Sequence, residues 1–290
     1  MQLALSLPLF VINMDYKDQY QLALMPNYEC LLFDLDDTLY SLSTGFFTIC
    51  TKNIEEYMVQ KLGIDEKKVQ EISPVLYKTY GTTMAGLKAI GHDFDNDDYH
   101  SFVHGRLPYD ILKRDHVLMN LLLSLPIRKV IFSNSDKAHV TKVLSKLGLE
   151  DCFEMIICFE TLNPTNKNNV ADDNINIELT CQPNGNSGLP KIPIICKPLE
   201  NAFEQAFKIA NINPGKTLFF DDSARNIQTA KRMGLDTVLV GKNHRTNGAD
   251  YALESIHNIR EALPMLWEAN NKLEKVSSPR KMAIETSVEA

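Results

Sequence analysis

Cys30-Leu31-Leu32-Phe33-Asp34-Leu35-Asp36-Asp37-Thr38 passes from an unbroken apolar tetrad straight into a cluster of acids. Four consecutive apolar residues are too few for a buried helix and fit a strand covered on both faces. The same form recurs at Lys129-Val-Ile-Phe132, Met155-Ile-Ile-Cys158, Thr217-Leu-Phe-Phe220 and Thr237-Val-Leu-Val240. Between these runs, Ala138 to Leu147 and Arg225 to Met233 carry apolar residues at helical spacing and stop at Gly148 and Gly234, where helix ends belong. Strand and helix alternating in this way predict a doubly wound (Rossmann-like) α/β core on a parallel sheet.

The interval between the first two runs is far longer than a crossover needs. Phe46 to Leu62, Lys67 to Tyr80, Thr82 to Ile90 and Asp97 to Val103 read as helices broken by Gly63, Gly81 and Gly91. They predict a helical cap, residues 45–115, inserted into a core made of residues 28–44 and 116–270. Residues 163–193 are rich in Asn, Asp, Pro and Gly and read as a flexible surface loop. Residues 271–290 read as a disordered tail. Residues 1–27 form an N-terminal extension whose apolar stretch, Leu3 to Ile12, lacks a basic start and a small-residue cleavage pattern. It is read as an extra apolar arm, or as sequence upstream of a start at Met14.

The chain has 290 residues, 44% of them hydrophobic, and a formal net charge of −7 from 37 acids and 30 bases. With no long basic run, nucleic acid is not an expected partner. No apolar stretch reaches the length that spans a bilayer. Six cysteines are scattered singly, without a C-x-x-C pair, which fits reduced thiols better than a zinc cage or a disulfide framework. The expected compartment is the cytoplasm, with the nucleus as the alternative. Oligomeric state is not readable from the sequence.

Three of the expected strands deliver polar groups directly after their last apolar residue: Asp34, Ser133, and Asp221 with Asp222. In an open parallel sheet such ends face one crevice. Alternation along an extended backbone sends Asp34 and Asp36 to the same side, with Leu35 opposite. Carboxylates so placed repel unless a cation separates them, and a hard divalent ion such as Mg2+, held by Asp34, Asp36 and Asp221 or Asp222, meets that need. Either cluster alone could be a turn start or a helix cap. Together, at two strand ends, they would be costly buried charges without a role.

Phe33-Asp34-Leu-Asp36-Asp-Thr38-Leu-Tyr40 resembles the first signature of the haloacid dehalogenase superfamily. Ser133 in Phe-Ser-Asn-Ser, Lys197 in Cys-Lys-Pro, and Asp221-Asp222 in Phe-Phe-Asp-Asp-Ser resemble the second, third and fourth, in the family's order. The likeness covers about Tyr28 to Tyr40 and Val117 to Gly241, and the insert from Leu42 to Asp115 resembles the family's cap. It implies a phosphatase acting on a small phosphate monoester, with Asp34 as nucleophile, Asp36 as general acid and base, and Lys197 offsetting charge. Ser133 and the backbone amides near Asn134 would hold phosphate oxygens. Members that break carbon–halogen bonds lack the second aspartate, so Asp36 favours phosphoryl transfer. Pro198 is expected at the first position of the following helix.

Two cap phrases, Tyr80-Gly81-Thr-Thr-Met-Ala-Gly86-Leu87 and Val103-His104-Gly105-Arg106-Leu107-Pro108-Tyr109, resemble the pyrimidine 5'-nucleotidase branch. That resemblance implies a nucleoside 5'-monophosphate as substrate, with Tyr80, His104 and Arg106, and Tyr109 beside them, recognising the leaving group. Sugar phosphates, lysophospholipids, a phosphosugar mutase and a catalytically silent scaffold stand as alternatives.

Overall fold

The computed structural model describes residues 28–164 and 194–267. The expectations for the N-terminal extension, nearly all of the polar loop, and the C-terminal tail lie outside the described residues. Six strands form one parallel sheet: β1 (Cys30–Phe33), β2 (Arg128–Phe132), β3 (Met155–Ile157), β4 (Thr217–Asp221), β5 (Asp236–Val240) and β6 (Tyr251–Leu253), in the order β3-β2-β1-β4-β5-β6. Every pairing is parallel, with Phe33 of β1 level with Ile131 of β2 and Phe220 of β4. The doubly wound α/β fold expected from the sequence is therefore the fold observed.

Alternation along the strands divides the core in two. Leu31, Phe33, Ile131, Leu218, Phe220 and Val238 face one layer of helices, where Leu118 and Leu122 of His116–Leu123 and Val140, Val143 and Leu144 of Lys137–Leu147 meet them. Leu32, Val130, Phe132, Phe219 and Leu239 face the other, against Ala202, Phe203 and Ala206 of Glu200–Ile209 and Ile227 and Ala230 of Ala224–Arg232. Phe33 and Phe220 stack at 4.5 Å between ring centres, which fixes the register of the two central strands by side-chain packing as well as by the ladder. The sheet's order reverses direction beside β1, and the crevice that such a switch point opens lies at the carboxyl ends of the strands.

The inserted helices Phe46–Gln60, Glu66–Tyr80, Thr83–Ala89 and Asn96–Val103 build most of a second hydrophobic cluster, which Phe159, Ile194 and Cys196 join from the core. Tyr57 lies at its centre, edge-on to Phe94, Tyr99 and Phe102. Gly63, Gly81 and Gly91, the expected breaks, all have positive φ. Side chains reach back to start three of these helices: Asp65, Thr82 and Asp95 each accept a backbone N–H of the first turn. After Val103 the packing changes partner, since Leu107, Tyr109 and Leu112 join the sheet's cluster rather than the cap's. One expectation is corrected here: the helix after Lys197 begins at Glu200 with Leu199 as its N-cap, so Pro198 lies before the first turn and not in it.

Candidate active site

Asp34 continues the line of β1, with its N–H donating to Phe220 O at 2.8 Å. Ser133 follows β2 and donates its N–H to Ile157 O at 2.9 Å, and Asp221 closes β4 with Asp222 next to it. Lys197 enters from outside the sheet and is fixed by its own backbone. Its N–H donates to Asn134 Oδ1 at 2.8 Å, and Asn134 Nδ2 donates to its carbonyl at 3.0 Å. The side chain of Asn134 is thus taken up in holding Lys197. The cap touches this segment at Gly81, where φ is +92° and a Cβ atom would lie 2.6 Å from the Lys197 carbonyl.

Lys197 is 1% exposed, and its ammonium donates to Asp34 Oδ1 at 2.7 Å and Asp221 Oδ2 at 2.8 Å. Burial works against its charge, but Asp221 and Asp34 outweigh that and hold its pKa above the usual lysine range. Asp221 is saturated, because Asn226 Nδ2 donates to both its oxygens at 3.0 Å and the Ser223 N–H donates to Oδ1 at 2.8 Å. Asp222 makes no hydrogen bond to any described residue. Burial first, then Asp221 and Asp34, push its pKa up to about 9. Asp34 is pushed up to about 7 by burial, with Asp221 and Asp36 adding to it and Lys197 opposing. Oxygens of Asp34, Asp221 and Asp222 lie within 4.8 Å of one another. Two buried acids on the ammonium and the half-buried Asp222 beside them form one group whose donors are all hard oxygens, so it suits a magnesium ion. A plain helix cap does not explain the pair, since Ser223 occupies the N-cap position with no side-chain capping bond.

Asp36 departs from its expected place. The chain turns after Leu35, Asp37 takes a positive φ of 58°, and the Asp36 carboxylate swings out of the three-acid group. It accepts from Tyr40 Oη at 2.7 Å, His139 Nε2 at 2.7 Å and Ser135 Oγ at 2.8 Å. Burial would raise its pKa, but His139 and the two hydroxyls hold it well below the usual carboxylate range. The structure therefore places the Asp36 carboxylate, expected among the metal donors, on these three partners and outside the three-acid group. His139 Nε2 faces Asp36, while Tyr109 Oη lies 2.8 Å from its Nδ1 and 3.1 Å from the His104 carbonyl. Asp36 accordingly outweighs burial and raises the imidazole's pKa. Tyr40, Ser135 and His139 were not anticipated. The available signal was the polar stretch Ser133-Asn-Ser-Asp-Lys-Ala-His139 beyond the end of β2.

Over these groups lies a crevice of about 430 Å³ whose floor is Asp34, Asp36, Asp37, Ser133, Asn134, Ser135, Lys197 and Asp222. Its upper wall is largely apolar, with Phe47, Ile54, Tyr77, Met84 and Tyr99 of the cap and Phe159 of the core among the lining residues. Of the expected cap residues only His104 lines it, and its Nδ1 is hydrogen-bonded to Asp136 Oδ1. Arg106 is outside, paired with Glu56 at 2.6 Å and lying over Phe102. Tyr80 is outside as well. It ends its helix packed against the cap cluster, and Tyr77, almost one turn earlier, is the tyrosine that reaches the crevice. Tyr109 packs in the core. Arg225 closes the rim, donating to the carbonyls of Tyr77 and Lys78 at 3.1 and 2.9 Å.

A parallel sheet whose strand ends carry Asp34, Asp221 and Asp222 beside the buried Lys197, under an inserted helical cap, defines a class of hydrolase. The sequence matches the haloacid dehalogenase-like hydrolase family over residues 28–234, and the chain belongs to that family. Phosphate metabolism protein 8 of Saccharomyces cerevisiae is 25% identical over 240 residues, covering 80% of this chain and 66% of that protein's length. Among solved structures, CbbY from Rhodobacter sphaeroides in complex with phosphate is similar with a TM-score of 0.51 and 17% identity, over 82% of this chain and 99% of that one. A phosphatase of the family from Thermococcus onnurineus gives a TM-score of 0.48 and 17% identity, over 80% of this chain and 96% of that one. No helix among the described residues is long and apolar enough to cross a membrane.

Proposed function

We propose that the protein is a magnesium-dependent phosphatase that hydrolyses a small phosphate monoester through an aspartyl-phosphate on Asp34. The observation that carries this reading is the buried group of Asp34, Lys197 and the unpaired Asp222 at the foot of the crevice. An oxygen of Asp34 would form the bond to phosphorus as the bond to the leaving oxygen breaks, with the Nε2 proton of a protonated His139 passed through Asp36 to that oxygen. Water then attacks phosphorus, Asp36 takes its proton and returns it to His139, and phosphate departs with the Asp34 carboxylate restored. Lys197 keeps Asp34 oriented and offsets charge on the transferring group. Asp34 and Asp222 would hold the magnesium, with Asp221 kept back by Lys197 and Asn226. The ion, when bound, supplies positive charge against the acids and the phosphate.

The substrate class we favour is a nucleoside 5'-monophosphate. Support comes from the crevice's size and from its wall, where Tyr77, Tyr99 and Phe159 offer aromatic surface to a flat base. The same wall would take an acyl chain, so lysophospholipids stand as the second reading. Turnover on pyrimidine and purine nucleotides, sugar phosphates and lysophospholipids, with and without magnesium, separates them. Highest kcat/KM on a sugar phosphate would overturn the nucleotide reading.

Asp36 as acid gives a sharper test. An alkoxide needs a proton to leave, whereas p-nitrophenolate needs little. Asp36→Asn is expected to slow the first step with a nucleoside monophosphate by roughly 100-fold or more, and far less with p-nitrophenyl phosphate. Equal slowing for both in single-turnover kinetics would leave Asp36 a structural residue.

The raised acids also fix the sign of a pH effect. For Asp34 and Asp222 the folded pKa lies above the unfolded one, so the folded state binds more protons between about pH 4 and pH 9 and loses stability as pH rises through that window. Magnesium prefers the ionised acids and relieves that loss. The rise in Tm on adding magnesium is expected to be larger at pH 8.5 than at pH 5.5, and an equal or smaller rise would contradict the site.

A further inference from the structure

A second group of ligating side chains lies across the junction of cap and core. His100 and His104 stand four residues apart at the end of the helix Asn96–Val103, which puts them on one face. Asp136 faces them from the N-cap of the core helix Lys137–Leu147. Its Oδ2 accepts the His139 N–H at 3.2 Å, leaving Oδ1 for the imidazoles. That oxygen is 3.6 Å from His100 Nδ1 and is hydrogen-bonded to His104 Nδ1. One ligand atom from each of the three residues lies within 4.8 Å of the other two.

His100 marks this as more than a hydrogen-bonded pair. It is 7% exposed, yet neither of its ring nitrogens has a hydrogen-bond partner. Burying such a group without a partner is unfavourable, and a native fold that does so has a use for it. All three residues border a cavity of about 380 Å³ behind the crevice, with Ser101, Lys142 and Glu160 on its walls.

We propose that His100, His104 and Asp136 form a second metal site, taking zinc(II), that fastens the cap to the core. Two imidazoles and a carboxylate are the donor set of a zinc site with a fourth position open to water, here on the side of the rear cavity. Ligand atoms about 2.0–2.2 Å from a tetrahedral ion are roughly 3.3–3.5 Å apart, close to the His100–Asp136 separation. His104 would give up its hydrogen bond to Asp136 and move back. Burial and His104 lower His100 to about 4, and burial and His139 lower His104, which favours the neutral form that ligation requires. Magnesium would not compete, since it demands oxygen donors. The site shares no residue with the three-acid group.

The test uses the full chain, stripped with EDTA, exchanged into millimolar magnesium and titrated with zinc(II) against a chromogenic chelator. The expected result is about one equivalent of zinc bound below micromolar Kd, weakened more than roughly a hundredfold in His100→Gln and Asp136→Asn, and kept in Asp222→Ala. Zinc binding that is absent in the wild type, or unchanged in His100→Gln, or lost in Asp222→Ala, would overturn the proposal. Should the His100 and Asp136 variants fail to fold by circular dichroism, cobalt(II) in the wild type decides. Paramagnetically shifted imidazole N–H signals from two histidines support the site, and a spectrum of an all-oxygen octahedral ion refutes it.

Discussion

Asp34→Asn is expected to lower turnover by at least roughly a thousandfold, about 4 kcal/mol of barrier, with the fold retained. The amide is a poor nucleophile toward phosphorus and leaves the metal group one charge short. The fold should survive because the exchange is isosteric and removes a buried acid that burial and Asp221 already disfavour as an anion. The Lys197 ammonium keeps Asp221 as an ion-pair partner, at 2.8 Å. Steady-state rates together with a thermal melt check both halves. A variant with a tenth of wild-type activity would remove Asp34 from the chemistry.

Lys197→Met should be the more damaging change to the molecule. The methionine matches the lysine stem and can still pack against Phe132 and Phe219, but it removes the one cation between Asp34 and Asp221. Breaking a buried pair from one side leaves uncompensated charge and costs about 3–5 kcal/mol. Asp34, already raised, would rise further and be protonated at neutral pH, so activity should fall along with stability. The stability loss is expected to be larger at pH 8 than at pH 5, because protonated acids no longer need the ammonium. Urea melts at both pH values measure it. A variant as stable as wild type at pH 8 would mean that the ion pairs contribute nothing.

The sheet was legible because its strands are buried on both faces and so read as apolar runs, β1 to the residue and β2 to β5 within one. β6 was not, since Tyr251-Ala-Leu253 is short and half-buried, and its place comes from β5 alongside it. The acids at the strand ends were legible for the same reason: a strand's last apolar residue fixes where the next side chain emerges. The partners of Asp36 were not, because Ser135 and His139 lie 99 and 103 residues away along the chain and are brought in by the register of β1 on β2. In the cap, motif likeness pointed to Tyr80 and Arg106, while helix phase decides which residues face the crevice. Tyr77 and Tyr99 do, and Arg106 is drawn outward to Glu56.

The proposed reaction passes through a covalent phosphoryl group on Asp34. Asp36→Asn, slowed in the step that needs water deprotonated, is mixed with p-nitrophenyl phosphate and magnesium, quenched in acid within a turnover, digested and weighed. The peptide containing Asp34 is expected to be heavier by one phosphoryl group, with the addition lost at alkaline pH and missing when Asp34 is also replaced by asparagine. A burst of p-nitrophenolate with the Asp34 peptide unmodified, or with the phosphoryl group on another residue, would contradict it.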